Sequence, residues 1–352
     1  MGATLRSVAA RSALVTGATG FIASRLVPAL LAEGWQVRAC GRRPRPDSLP
    51  ADAEFRSIDF VDSSDEDLAD LTAGITHLFH LAGASSSKSS DEEMYRNNVQ
   101  ATERLLEAAS GAEMIERALY ISTTAVYGEE KRLPSPVPED VEPAPSREYG
   151  KAKWEAEKVV RRFGDDGMPV VVLRPVSVHG PGAIKLLASV LLDVAVERFM
   201  GNDRLPVHST PVEQRLLHID DLVAATIHLA EHPDAVGRTF NVGSGVYPTS
   251  HEVAEIVAGL FGMTVELDDD PDCGPSYEER EKAWSAMLEQ GMRDEIILSK
   301  ERFRFMRKEN RNNRLSLDAL LGTGFELRHT DLEREAAADL VWYQDRRWIL
   351  VP

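Results

Sequence analysis

The stretch "LVTGATGFIAS" at residues 14–24 joins a short apolar run to an amphipathic run through two glycines, Gly17 and Gly20. "SALVTG" (12–17) reads as a strand, and "FIASRLVPALLAEG" (21–34) has helical periodicity closed by a glycine. Glycines at such a junction permit a tight turn and close approach of the backbone to a ligand. The helix start offers unpaired N–H groups and the positive end of a dipole, a combination suited to a pyrophosphate. The third small position of the loop is Ala23, which still allows close helix–sheet packing.

Outward from this junction the chain alternates. Strands are expected at "WQVRAC" (35–40), "FRSIDF" (55–60), "THLFHLAG" (76–83), "RALYIS" (117–122) and "MPVVVLRP" (168–175). A long amphipathic helix is expected over 92–110, and a second over the residues around Tyr149. Strands alternating with helices imply right-handed crossovers and a buried, doubly wound parallel sheet of the α/β class. Beyond about residue 180 the rhythm loosens. The densely charged segment 266–313 reads as a pair of solvated helices and a mobile loop.

Two further patterns carry chemistry. The second strand runs on into "GRRPRP", so Arg42 and Arg43 stand where a 2′-hydroxyl site would want a carboxylate, and the first acidic residue after the strand is Asp47. Guanidinium groups there favour a 2′-phosphate, which arginine can hold through two hydrogen bonds. In "EYGKAKWEAEKVV" (148–160), Tyr149 and Lys153 are four residues apart and share one helix face. That spacing by itself also describes an ordinary solvated contact.

With "TGATGFIA" at the start and "YGKAK" at 149–153, the chain resembles the extended short-chain dehydrogenases/reductases, the NAD(P)-dependent epimerase/dehydratase group that modifies nucleotide sugars. "HLAG" (80–83), "NNVQATERLLEAA" (97–109), "ISTTAVYGE" (121–129), "RPVSVHGPG" (174–182), "RLLHIDDLVAA" (215–225) and "FNVGSG" (240–245) follow in family order. The resemblance implies a Rossmann-type sheet over residues 1–180, with returns near 215–245. A smaller C-terminal α+β substrate lobe would occupy most of 181–352.

The resemblance also implies a catalytic triad of Thr123, Tyr149 and Lys153. Tyr149 would be the acid/base, Thr123 would hydrogen-bond the same substrate oxygen, and Lys153 would bind the cofactor ribose and draw the phenol pKa down. Cofactor contacts would come from Gly17, Gly20, Phe21, Ile22, Arg42, Arg43, Asp59, Leu81, Ala82, Asn98, Tyr149, Lys153, Pro175 and His179. Substrate contacts would come from Ser85, Thr124 and Arg215. The 4,6-dehydratases of the family carry Asp–Glu where Thr124 and Ala125 stand, so water elimination is not expected. Ser177 and His179 replace the usual Asn and Tyr, and Gln214 takes the place of the arginine that binds a substrate diphosphate.

Bulk properties set the remaining limits. The formal charge of −17 disfavours nucleic acid and anionic membrane as partners. The two cysteines, Cys40 and Cys273, make no disulfide framework and no metal motif. No window reaches membrane-spanning length and the first residues lack the apolar run of a secretion signal, so a cytoplasmic location is expected. The expectation is an NADP-dependent oxidoreductase, with NAD as second choice and no metal, acting at a secondary alcohol or ketone. It would be a nucleotide-sugar 4-ketoreductase or epimerase, and a homodimer built on the helices 92–110 and 149–163 through Met94, Leu105, Leu106, Trp154 and Val159. The alternatives are a reductase of non-sugar ketones, of flavonoid or hydroxysteroid type, and a catalytically silent NADP-binding sensor or scaffold.

Overall fold

The computed structural model describes residues 11–84, 90–112, 114–128, 133–270, 274–300, 303 and 314–350. Ser85 and Cys273 lie outside them. The strands are β1 (Ser12–Thr16), β2 (Gln36–Gly41), β3 (Glu54–Ser57), β4 (His77–His80), β5 (Arg117–Ile121), β6 (Val170–Pro175), β7 (Ser177–His179), β8 (Arg204–His208), β9 (Leu216–His218), β10 (Thr239–Val242) and β11 (Thr264–Asp268). Seven of them form one all-parallel sheet in the order β10-β6-β5-β4-β1-β2-β3. The sequence order reverses between β1 and β4, which register Val15 against Phe79. A crevice opens at the carboxyl ends of the strands at such a switch point.

The central strands are apolar because both faces are covered: β4 and β6 are buried at every residue. The covering helices are α1 (Ala23–Ala32), α2 (Asp65–Thr72), α3 (Asp91–Tyr95), α4 (Ala101–Ser110), α5 (Glu148–Asp165), and α7 (Ile219–Glu231), with α6 (Leu187–Phe199) between the last two in sequence. Helices α3 and α4 are one continuous rod, interrupted by a π-helical turn over Arg96–Gln100. Ser90 opens that rod with a capping box completed by Glu93. The long helix expected at 92–110 is therefore present, but it is not uniformly α-helical.

A second core lies beyond the sheet. It is built from α6, α8 (Ser250–Leu260), α9 (Tyr277–Glu289) and α11 (Leu332–Asp345), with the short α10 (Asp318–Leu321) on the first core. Strands β8 and β11 pair parallel at its edge, and β7 pairs with β9 between the two cores. The charged segment departs from expectation. Its described part holds one strand and one helix rather than a solvated helix pair, and Arg280, Ala283 and Met287 of α9 are buried. Arg280 reaches Asp193 of α6 at 3.1 Å, so a residue that reads as surface charge is half of a buried ion pair.

Met94, Leu105, Leu106 and Val159 are buried within the chain's own core, and Trp154 packs partly buried against it. Four of the five thus serve the chain's own core, and Trp154 remains partly exposed. Among the described residues no helix is long and apolar enough to cross a membrane.

Candidate active site

Two adjoining cavities follow the carboxyl edge of the sheet. The first, about 520 Å³, is walled by the loop after β1 (Gly17, Thr19, Gly20), the end of β2 (Gly41, Arg42, Arg43), Asp59 after β3, and Leu81 and Ala82 after β4. The second, about 290 Å³, shares Gly17, Gly20 and Leu81 and adds Phe21, Ile22, Asn98, Thr123, Tyr149, Lys153 and Pro175. Residues from six strand ends and two helices thus meet in one trough.

The loop that joins the cavities is shaped for a close ligand. Gly17 has φ +68°, and a Cβ on it would stand 3.0 Å from the Ala82 backbone. Helix α1 begins without a side-chain cap, and the Ser24 and Arg25 N–H groups of its first turn donate to the Gly20 and Ile22 carbonyls at 3.1 Å. Asn98, buried in the π turn, donates through Nδ2 to the Met94 and Ala84 carbonyls at 2.9 and 3.1 Å. Its Oδ1 is buried with no hydrogen-bond partner among the described residues. A π turn re-aims a side chain in this way at many functional sites. The glycine turn, the uncapped helix start and the orphaned Asn98 oxygen are features that fit a dinucleotide.

At the β2 end of the trough Arg42 donates to Asn97 Oδ1 at 2.7 Å, and Arg43 donates to the Thr19 hydroxyl and carbonyl at 2.9 Å. Both guanidiniums line the cavity. Asp59 is used differently, as a turn former. Burial would raise its pKa, but hydrogen bonds from the Val61 N–H, Arg96 and the Asp62 N–H outweigh that and hold it below the usual carboxylate value.

At the other end Thr123 leaves β5 extended and its Oγ1 accepts the Ala125 N–H at 3.2 Å, opening a 3-10 turn at Thr124–Tyr127. Helix α5 packs against that turn so closely that a Cβ on Gly150 would sit 2.7 Å from the Ala125 carbonyl oxygen. This contact brings Tyr149 to Thr123, to which it is hydrogen-bonded. Burial pushes the phenol up to about 12, against the downward pull of Thr123. The lysine was expected to lower it. In this structure desolvation dominates, and the Lys153 ammonium is directed to the Ile121 carbonyl at 2.6 Å and over the Tyr120 ring at 4.3 Å. Burial in turn lowers Lys153 to about 7, with the Glu157 carboxylate opposing. At neutral pH the phenol keeps its proton and can donate it to an oxygen held between Thr123 and Tyr149.

Three expected contacts lie outside the linings of these two cavities. Thr124 and Arg215 line neither cavity. His179 is buried behind the trough, with Nε2 3.6 Å from Glu335 and Nδ1 3.6 Å from Asp339 of α11. The nearby His218, Asp220 and His329 bring ligand-type atoms within 4.8 Å of one another. The His218 and His329 rings, however, are stacked at 4.0 Å and 13°, and two nearly parallel rings cannot both aim an in-plane lone pair at one ion.

Sequence reasoning also missed supporting residues. Glu157, one turn beyond Lys153, receives two hydrogen bonds from Arg174 at 2.8 and 3.1 Å and one from Ser122. Arg174 also donates to the Tyr127 hydroxyl, which donates to Asn241. This buried network ties α5 to β5, β6 and β10. It gives the arginine of "RPVSVHGPG", the tyrosine of "TTAVYGE" and the asparagine of "FNVGSG" a structural role. The spacing Tyr149–Lys153–Glu157 was the available signal.

The comparisons agree with this geometry. The model of the NAD dependent epimerase/dehydratase family matches residues 13–243. The chain belongs to that family. It is 30% identical to a UDP-glucose 4-epimerase of Vibrio cholerae, over 73% of this chain and 78% of that one. It is 29% identical to a GDP-6-deoxy-D-mannose reductase of Pseudomonas aeruginosa, over 55% of this chain and 66% of that one. Against several other curated relatives it spans 41–60% of their length. Among solved structures, MoeE5 in complex with UDP-glucose and NAD is 25% identical with a TM-score of 0.70, covering 95% of this chain and 99% of that one.

Proposed function

We propose that this family member is an NADP-preferring oxidoreductase that works at a secondary alcohol or ketone of a nucleotide sugar, as a 4-ketoreductase or an epimerase. The carrying observation is a single cavity lined by the glycine loop, Thr123, Tyr149 and Lys153. A bound nicotinamide supplies or accepts the hydride in this chemistry. The chain's own part is acid–base work and positioning. Thr123 and Tyr149 hold the substrate oxygen, and in the reducing direction the protonated phenol gives that oxygen its proton. Lys153 holds the ribose, and its ammonium stabilises the phenolate left once the proton is given. Arg42 and Arg43 favour the 2′-phosphate, while the similar MoeE5 holds NAD, so NAD is the competing choice. Ala125 and Thr124 supply no carboxylate pair, which argues against elimination of water. Assembly as a homodimer through α3–α4 and α5 is part of this reading, with the half-exposed Tyr95 and partly buried Trp154 as the apolar groups those helices leave at the surface.

A second reading, reduction of a non-sugar ketone, is favoured by one observation. Gln214 stands in the place of the arginine expected for a diphosphate, and its Nε2 donates to the Val212 carbonyl at 2.9 Å. The test is NADPH or NADH consumption with 4-keto nucleotide sugars, interconversion of UDP-hexoses, and a parallel panel of flavonoid and steroid ketones. Turnover of a nucleotide sugar supports the proposal. Turnover confined to the non-sugar panel replaces it, and binding of dinucleotide without any turnover points to a sensor.

A further inference from the structure

His80 is fully buried behind the trough, and the mechanism above makes no use of it. Its Nδ1 lies 2.8 Å from Thr16 Oγ1 and its Nε2 2.9 Å from Thr102 Oγ1. Hydrogen-bond accounting at the two hydroxyls fixes its protonation. Thr16 Oγ1 accepts the Leu81 and Ala82 N–H groups at 3.1 and 3.0 Å. Both lone pairs are spent, so its proton goes to His80 Nδ1. Thr102 Oγ1 donates its proton to the Asn98 carbonyl at 2.5 Å, so it accepts from His80 Nε2–H. The two ends arrive independently at one neutral tautomer, protonated on Nε2.

The ends of this chain are both parts of the site. At one end are Leu81 and Ala82, whose backbone faces Gly17 across the phosphate loop. At the other is Asn98 in the π turn; its Oδ1 faces Gly83, where a Cβ would approach to 2.5 Å. We infer that His80 is a positioning residue, a neutral, one-way hydrogen-bonded strut that sets the separation of the Leu81–Gly83 wall from the Asn98 turn and so the fit of the dinucleotide between them. Protonation of His80 would oppose Thr16 with a second donor and break the chain. The surroundings resist that change. Tyr120 packs on the imidazole at 5.5 Å with the Lys153 ammonium on its ring, and Phe60 lies at 6.3 Å. Desolvation, with the repulsion of Lys153, lowers the imidazole pKa to about 3.

The inference rests on the dinucleotide reading of the trough, so its test has one readout that needs no ligand and one that needs no substrate. Nitrogen-15 NMR of histidine-labelled protein should show one imidazole with Nε2 protonated and Nδ1 bare, unchanged from pH 5 to 9. Thr102→Val should weaken NADPH binding on the order of tenfold, as expected for one lost hydrogen bond, and Thr102→Ser should restore it. Both variants should melt within a few degrees of the parent. A titrating or Nδ1-protonated His80 would overturn the inference, as would Thr102→Val protein that binds NADPH with parental affinity or is not rescued by serine. Failure of the functional reading shows up separately, as absent turnover with these two readouts intact.

Discussion

Lys153 offers a quantitative handle on the trough. Its amine is buried with Ile121 O as hydrogen-bond partner, and burial lowers its pKa to about 7. At pH 8 only about one lysine in ten is then charged. A dinucleotide whose ribose hydroxyls and phosphates favour the ammonium would raise that pKa, so binding at pH 8 should take up as much as one proton. Between pH 7 and 9 the affinity should fall by up to about tenfold per unit, since each unit is worth about 1.4 kcal/mol. Isothermal titration of NADPH at pH 8, in buffers of different ionisation enthalpy, reads the uptake directly. Lys153→Met should abolish the uptake and flatten the pH dependence. The same shift has a consequence for the ligand-free protein. The unfolded chain holds this proton more tightly than the folded one between pH 7 and 10.5, so stability should rise with pH across that window, and the rise should be lost in Lys153→Met. A parent protein that binds NADPH without proton uptake, or an uptake that survives Lys153→Met, would refute the reasoning.

Other expectations are simpler. Arg42→Ala should cost NADPH about 1.5–3 kcal/mol of binding, one charge-assisted contact, and leave NADH almost unchanged in a fluorescence titration; a parent that prefers NADH refutes the 2′-phosphate reading. Gly17→Ala forces a side chain into φ +68° and against the Ala82 backbone, so dinucleotide affinity should drop more than about tenfold with a stability loss of about 1–2 kcal/mol. Burial raises the Glu335 pKa to about 7. The folded protein therefore holds this proton more tightly than the unfolded one, and the carboxyl's contribution to stability is lost as pH rises from about 4.5 to 7. Glu335→Gln should accordingly stabilise the protein by about 1–2 kcal/mol at pH 8 and hardly at all at pH 4.5, measured by denaturant unfolding.

Much of the architecture was legible because it depends on local pattern. The glycine junction after β1, the buried runs of β4 and β6, and the return of the chain to the sheet at "FNV" are written in consecutive residues. The two arginines after β2 are likewise local, and the structure brings them to the cavity that holds Asp59. What escaped was set by distant partners. His179 sits on a motif that resembles a cofactor contact, yet Glu335 and Asp339, about 160 residues on, draw it to the far side of the β7–β9 pair. Arg280 looks solvated until Asp193 is brought beside it. The π turn at Asn98 is a matter of backbone hydrogen bonding, which the spacing of apolar residues does not report. The phenol was misjudged for a similar reason. Spacing reports the neighbouring lysine but not the desolvation, which here is the larger effect.

The central claim, that Tyr149 is the proton donor and acceptor of a hydride-transferring site, is most directly tested by Tyr149→Phe. The variant loses one hydroxyl, so it should fold and bind NADPH as the parent does while turnover of the identified substrate falls about 10²-fold or more. A Tyr149→Phe enzyme that turns over at the parental rate would contradict the account.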